Sequence, residues 1–289
     1  MTDRPRKLGI VAGRGPLPAA LAEVAVAAGR DVFIVAIDDD VSKDIERFPH
    51  AHVRIGAHGE FLRLLKENGC KDIVLIGGIN RPDLSKIGLD FAGIKLLPRL
   101  VRWLAQGDDG LLRGIADYLE KDHGLHVIGA HEVAEGLLAP EAVLTKAAPA
   151  PEHEADIDAA IRAALDVGTR DVGQGAVACR GAVVATEDDA GTDVMLARVA
   201  AMDPAMRGRL GALEGVLVKL TKPGQERRVD MPTIGVRTVE NAAAAGLAGI
   251  AVEAGGALIV DGEAVARAAD AHGLFVIGLG ATRIAEAGR

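Results

Sequence analysis

The sequence predicts an α/β protein, with an N-terminal Rossmann-like doubly wound domain followed by a second, mixed α/β domain. Three observations carry this. The first half alternates short apolar runs with amphipathic stretches, the pattern of a parallel sheet covered on both faces. The second half places a tight-turn pair between two apolar runs, which calls for an antiparallel hairpin. The chain has 289 residues, 49% of them hydrophobic, enough for two globular cores.

Leu8–Ala12 reads as the first strand, closed by Gly13-Arg14-Gly15-Pro16, and Pro18–Ala28 as an alanine- and leucine-rich helix ended by Gly29. Val32–Ile37 is a β-branched second strand. Glu60–Asn68 reads as a helix stopped by Gly69, and Ile73–Ile76 as a strand stopped by Gly77-Gly78. Leu111, Leu112, Ile115, Ala116 and Leu119 recur at helical spacing, and His126–Gly129 reads as another strand. Ala139–Glu154 carries Pro140, Pro149 and Pro151 and no glycine, the texture of a stiff linker. The predicted division is therefore 1–138, a linker at 139–154, and 155–289. Beyond it, Ala155–Leu165 is helical, and Ala176–Cys179 and Ala182–Ala185 flank the turn Arg180-Gly181. Val194–Met202 is a helix, and Gly215–Lys222 a strand followed by a polar loop through Arg228. Helices at Val239–Ala245 and Ala264–Ala271, strand and turn in Ile250–Val260, and a final strand at Leu274–Ile277 complete the pattern.

Charge excludes several functions. With 33 basic and 41 acidic residues the net charge is −8, opposed to a nucleic-acid surface, and aromatics at 2% are too few for base-stacking platforms. Cys70 and Cys179 lack CxxC spacing and read as inert core residues of a reducing, cytoplasmic protein. Leu8–Ala12 is too short for a signal-peptide core, and no apolar run is long enough to span a bilayer.

Several motifs could carry chemistry. Gly13 and Gly15 would let backbone approach an anion at a helix start, and Asp38 lies where a ribose-reading acid belongs. Pro18 breaks the dinucleotide fingerprint, so a plain turn competes with phosphate contact. Gly77-Gly78-Ile79-Asn80-Arg81-Pro82-Asp83 follows a strand's carboxyl end, where Arg81 could fork onto a phosphate or pair with Asp83. His131-Glu132-Val133-Ala134-Glu135 starts like a zinc-protease helix but has Glu135 where the second histidine is required. His50, His52 and His58 read as surface residues. Thr192 and Asp193 open a helix, as a cap and a macrodipole partner would. Strand alternation sets Val216, Val218 and Leu220 on one face and Leu217, Lys219 and Thr221 on the other. A mid-strand lysine is costly to bury unless an anion meets it. Lys222, Arg227, Arg228 and Asp230 lie close by, a reasonable metal-phosphate constellation or a solvated face.

Six strings occur in order: Gly9-Ile10-Val11-Ala12-Gly13-Arg14-Gly15-Pro16-Leu17-Pro18, Asp109-Gly110-Leu111-Leu112-Arg113, Gly129-Ala130-His131-Glu132-Val133, Asp171-Val172-Gly173-Gln174-Gly175, Gly191-Thr192-Asp193, and Lys219–Gln225 running on to Asp230-Met231-Pro232-Thr233-Ile234-Gly235. Together they resemble the UDP-2,3-diacylglucosamine pyrophosphatase family of lipid A synthesis, in the form unrelated to calcineurin-like phosphoesterases. Glu187-Asp188-Asp189-Ala190 departs from the expected Glu-Gly start. The resemblance implies hydrolysis of a lipid-linked nucleotide sugar to UMP and 2,3-diacylglucosamine 1-phosphate (lipid X), with Mg2+ or another divalent cation such as Mn2+. It implies Asp230 as the essential carboxylate, through metal or water positioning, and fixed positive charge from Lys219 or Lys222. Gln174, Gly175, Thr192, Asp193 and Thr233 would contact substrate, with Gly13, Gly15, Asn80 and Arg81 facing them from the first domain and the linker allowing closure. A homodimer in peripheral contact with the inner membrane is implied as well. The apolar segment Leu89–Leu104, broken at Pro98, would line an acyl groove or touch the membrane; a core helix pair or a dimer contact explains it equally. A non-catalytic nucleotide-sugar or lipid carrier and a nicotinamide-dependent enzyme are the alternatives, and a general nucleotide pyrophosphatase is a variant of the main reading.

Overall fold

A computed structural model describes residues 6–37, 41–79, 88–209 and 211–289. The chain divides into two compact units, Met1–Glu135 with Glu226–Asp230, and Gly136–Gln225 with Met231–Arg289.

The first unit is built on strands β1 (Leu8–Ala12), β2 (Val32–Ile37), β3 (His50–Val53), β4 (Asp72–Ile76) and β5 (His126–Val127), in the order β3-β2-β1-β4-β5. All pairings are parallel, with Ile10 opposite Ile34 on one side and Val74 on the other. Every residue of β1 is buried, as a central strand covered on both faces requires. Its helices are α1 (Leu17–Ala27), α2 (His58–Glu67), α3 (Phe91–Leu104), α4 (Gly107–His123) and the short α5 (Ala130–Val133). Phe33, Val35, Phe61, Leu65, Ile73 and Leu119 share one core, with Val229 packed against it. Burying side chains of this size is worth roughly 1.5–3 kcal/mol each.

The second unit contains α6 (Glu154–Thr169), β6 (Gly175–Cys179), β7 (Ala182–Thr186), α7 (Thr192–Ala200), β8 (Val216–Lys219), β9 (Thr233–Ile234), α8 (Val236–Ala244), β10 (Gly249–Glu253), β11 (Leu258–Ile259), α9 (Gly262–His272), β12 (Phe275–Leu279) and α10 (Ala281–Ala287). The main sheet runs β12-β10-β8-β6-β7, and β11 pairs with β9 separately. β12, β10 and β8 are parallel, whereas β6 is antiparallel to both β8 and β7. The hairpin turns at Arg180 and Gly181, with φ of 54° and 74°, the left-handed pair that a two-residue turn demands. Val216, Val218 and Leu220 pack beneath α6, and Leu217 packs among α7, α8 and α9, as the alternation predicts.

The expected linker does not stand apart from the second unit. Ala139 donates to the Ala257 carbonyl, Leu144 to Val276, and Lys146 N to Asp270 Oδ1, so 139–146 runs along that unit. Its prolines fit because the segment bonds only intermittently, leaving positions that need no N–H. The expected boundary at 155–289 also differs: Glu226–Asp230 groups with the first unit.

Candidate functional site

Register gathers the polar residues of the second unit at one sheet edge. Gly175 of β6 lies opposite Lys219 of β8, and Lys219 opposite Val252 of β10. Because β6 is antiparallel to β8, the loop entering β6 and the ends of β7, β8 and β10 emerge together. The carboxyl ends of the parallel strands β8 and β10 lie here, and strand carboxyl ends are where open α/β sheets bind ligands.

Glu187, just past β7, is the hub of this edge and only 7% exposed. Thr192 Oγ1 donates to its Oε1 at 2.7 Å, and the Gln174 amide donates to its Oε2 at 3.3 Å. A buried carboxylate needs such donors. A Cβ on Gly175 would stand 2.8 Å from Glu187 Oε2, and one on Gly173 would overlap the Glu187 carbonyl. Gly173 is therefore required by the close approach of the Glu187 backbone, while a side chain at 175 would push on the Glu187 carboxylate. With its proton committed to Glu187, the Thr192 oxygen is left as an acceptor, suited to a ligand O–H or N–H or to a cation.

Lys219 is 5% exposed, and its Nζ lies 3.3 Å from the Thr233 carbonyl. Among the described residues no carboxylate pairs with it, so an arriving anion would relieve the cost of burying its charge. Lys222 is different: its Nζ pairs with Asp171 Oδ1 at 2.7 Å, and its backbone N–H donates to Gln225 Oε1 at 2.9 Å. Gln225 Nε2 in turn donates to Gln174 Oε1 at 3.2 Å. Glu253, at the end of β10, accepts from the Thr221 amide at 2.8 Å. Asp193 accepts from Asn241 Nδ2 at 2.8 Å and pairs with Arg237 at 2.6 Å, fastening α7 to α8. The Thr233 hydroxyl donates to the Met231 carbonyl at 3.1 Å. Sequence reasoning missed Glu187 and Glu253 as organisers; the closely spaced Gly173 and Gly175 were the available signal for the first.

Asp230, expected in the C-terminal domain, belongs by its contacts to the first unit, with the rest of Glu226–Asp230. Arg228 forks onto both Glu226 oxygens at 2.9 and 3.0 Å and reaches Glu120 at 3.0 Å. That guanidinium holds the Glu226 carboxyl below its ordinary range, despite partial burial. Asp230 itself is half-buried, and its N–H donates to the Glu226 carbonyl at 3.1 Å. Among the described residues no three His, Cys, Asp or Glu side chains gather as a metal cage. Magnesium needs no such cage: one or two carboxylates with substrate phosphate oxygens and water suffice, and Asp230 fits that donor set.

In the first unit, Gly13 donates to the Ile76 carbonyl at 2.8 Å and Arg14 to Gly78 at 2.7 Å. A Cβ on Gly13 would lie 2.5 Å from the Gly78 carbonyl oxygen, so this glycine lets two loops touch. Gly15 has φ of 96° with open space around it. Pro16 and Pro18 remove two N–H groups from the start of α1, which weakens it as an anion cradle. Asp38, Asn80 and Arg81 lie outside the described residues. Glu132 accepts from the Gly129 amide at 2.7 Å, capping α5. His50 and His52 sit on β3, while His58 is half-buried with its Nε2 2.9 Å from the Tyr118 hydroxyl. Both cysteines are buried, and burial pushes their thiols up.

Family models described as the LpxI N-terminal and LpxI C-terminal domains match residues 7–137 and 140–277. A protein named UDP-2,3-diacylglucosamine pyrophosphatase LpxI, from Caulobacter vibrioides, is 48% identical over 274 residues, covering 95% of this chain and 98% of that protein. Domain order, near-full coverage and this identity agree with the six sequence strings, and the chain belongs to the LpxI family.

Proposed function

We infer that the chain hydrolyses UDP-2,3-diacylglucosamine, releasing UMP and 2,3-diacylglucosamine 1-phosphate. The observation that carries this is Lys219, a buried ammonium with a single carbonyl partner at a loop-bearing sheet edge. A diphosphate ester supplies the anion such a group favours, and the similar Caulobacter protein is named for acting on that substrate. Lys219 takes a phosphate oxygen and stabilises charge that grows during bond breaking. Thr192, oriented by Glu187, accepts from a sugar hydroxyl or amide, while Gln174 and Gly175 shape the loop beside it. Thr233 lends its carbonyl to hold Lys219 in place. Lys222 stiffens the same edge through Asp171, and Asp193 fixes the helix carrying Thr192. Asp230 would position the attacking water or hold the divalent cation. A bound Mg2+ or Mn2+ would supply neutralisation of the diphosphate oxygens.

The reading places the enzyme in the cytoplasm as a homodimer in peripheral contact with the inner membrane, where a diacylated substrate resides. Among the described residues no helix is long and apolar enough to cross a membrane. UMP release with added Mg2+ or Mn2+, and its loss with chelator, tests the activity and separates it from a carrier that binds without turnover. Asp230→Ala should abolish hydrolysis while leaving substrate binding largely intact. Near-normal turnover in that variant would refute the assignment.

A further inference from the structure

Helix α3 exposes an unusual surface. Phe91, Ile94 and Val101 are 73%, 55% and 54% exposed, while Gly93 and Leu96 are buried toward the unit. With Pro98, these exposed residues recur at three- and four-residue steps and form one apolar stripe. Lys95, Arg99 and Arg102 each follow a stripe residue by one position, so a basic stripe runs beside the apolar one.

Neighbouring anions offset only part of that charge. Arg99 pairs with Asp122 of α4 at 2.9 Å and lies over the Tyr118 ring. Asp117 is taken by Lys121, and Asp90 accepts from the Gly59 and Gly93 amides as the α3 cap. Lys95 extends over the Phe91 ring at 4.4 Å, and among the described residues neither Lys95 nor Arg102 pairs with a carboxylate.

We propose that α3 is the docking element for an anionic lipid surface, seating Phe91, Ile94 and Val101 at the acyl boundary with Lys95 and Arg102 on headgroup phosphates. A helix with adjoining apolar and basic stripes lies in a bilayer interface in this way, the lysine and arginine stems reaching up to the phosphates. Charge selects the occupant. A chain of net charge −8 is repelled by an anionic bilayer except where it is locally basic. A second copy meeting the same stripe across a two-fold axis would bring like charges together. The proposal deepens the peripheral contact of the functional reading, yet stands on the helix and not on the chemistry.

The test is flotation of the full chain with phosphatidylglycerol-containing vesicles and with phosphatidylcholine vesicles, at low and high salt. Preferential, salt-sensitive binding to the anionic vesicles is expected, falling about tenfold or more in Lys95→Glu/Arg102→Glu. Ile94→Gln and Val101→Gln, milder changes on the exposed stripe, should weaken binding without altering the circular dichroism of the fold. Unchanged flotation in all variants would overturn the proposal. So would variants that change oligomeric state in place of flotation, since the face would then cover a second copy. Lost turnover of detergent-dispersed substrate with flotation intact would also overturn it, assigning the stripe to substrate acyl chains. Wild-type flotation without UMP release would sink the hydrolase reading and leave docking in place.

Discussion

Lys219 presents a clear case of a residue whose place in the fold is a burden unless it serves the chemistry. Its charge is buried, and replacing a buried charge by an apolar side chain of similar length often leaves stability unchanged or higher. Lys219→Met should therefore keep or raise the melting temperature while lowering UMP release about 100-fold. A parallel fall in both would mean that the ammonium is structural. His58 gives a second test at this scale. Burial and the neighbouring His123 hold its ring below the ordinary histidine range, with Asp90 opposing. The folded state then binds this proton less readily than the unfolded chain, so stability rises with pH across the titration and is lost below about pH 6.5. His58→Phe should flatten the dependence of the denaturant midpoint between about pH 7.5 and 5.5. Lys219 was legible in the sequence because strand alternation alone puts it opposite Val216, Val218 and Leu220. Glu187 was not, because its partners come from separate loops at 174 and 192, which only register brings together.

At the scale of elements, the strands of each sheet were readable wherever apolar runs ended in glycine. β3 escaped because His50-Ala51-His52-Val53 has no apolar run, and its pairing with β2 supplies what local propensity does not. α10 escaped because Ala281–Ala287 shows neither a side-chain cap nor acidic residues in its first turn. The proline-rich stretch after Leu138 reads as a stiff linker, since nothing local announces that Val143 will pair with Ile277. The Gly13 turn reads both as a plain turn and as a ligand cradle for a related reason: close contact with another loop and close contact with a ligand both demand glycine. Gly77 sharpens that point, because its φ is 93° and a Cβ there would lie 2.8 Å from the Arg14 carbonyl oxygen. Gly77→Ala should cost about 1–3 kcal/mol in denaturant unfolding. A neutral result would mean that the loop pairing yields easily.

For the molecule as a whole, the excursion of Glu226–Asp230 makes position in sequence a poor guide to position in structure. Arg228→Ala removes the partner of Glu226 and Glu120 and should destabilise the first unit by about 1 kcal/mol. Hydrogen exchange should register the loss in residues 116–127 in preference to 215–221, the reverse of what numbering suggests. The same excursion limits how such a protein can be recombined. An exchange of only the first 137 residues between two relatives would hand over an N-terminal half whose five-residue complement stayed with the other parent. Breeding or engineering chimaeras in this family therefore calls for moving that short insert together with the half it completes.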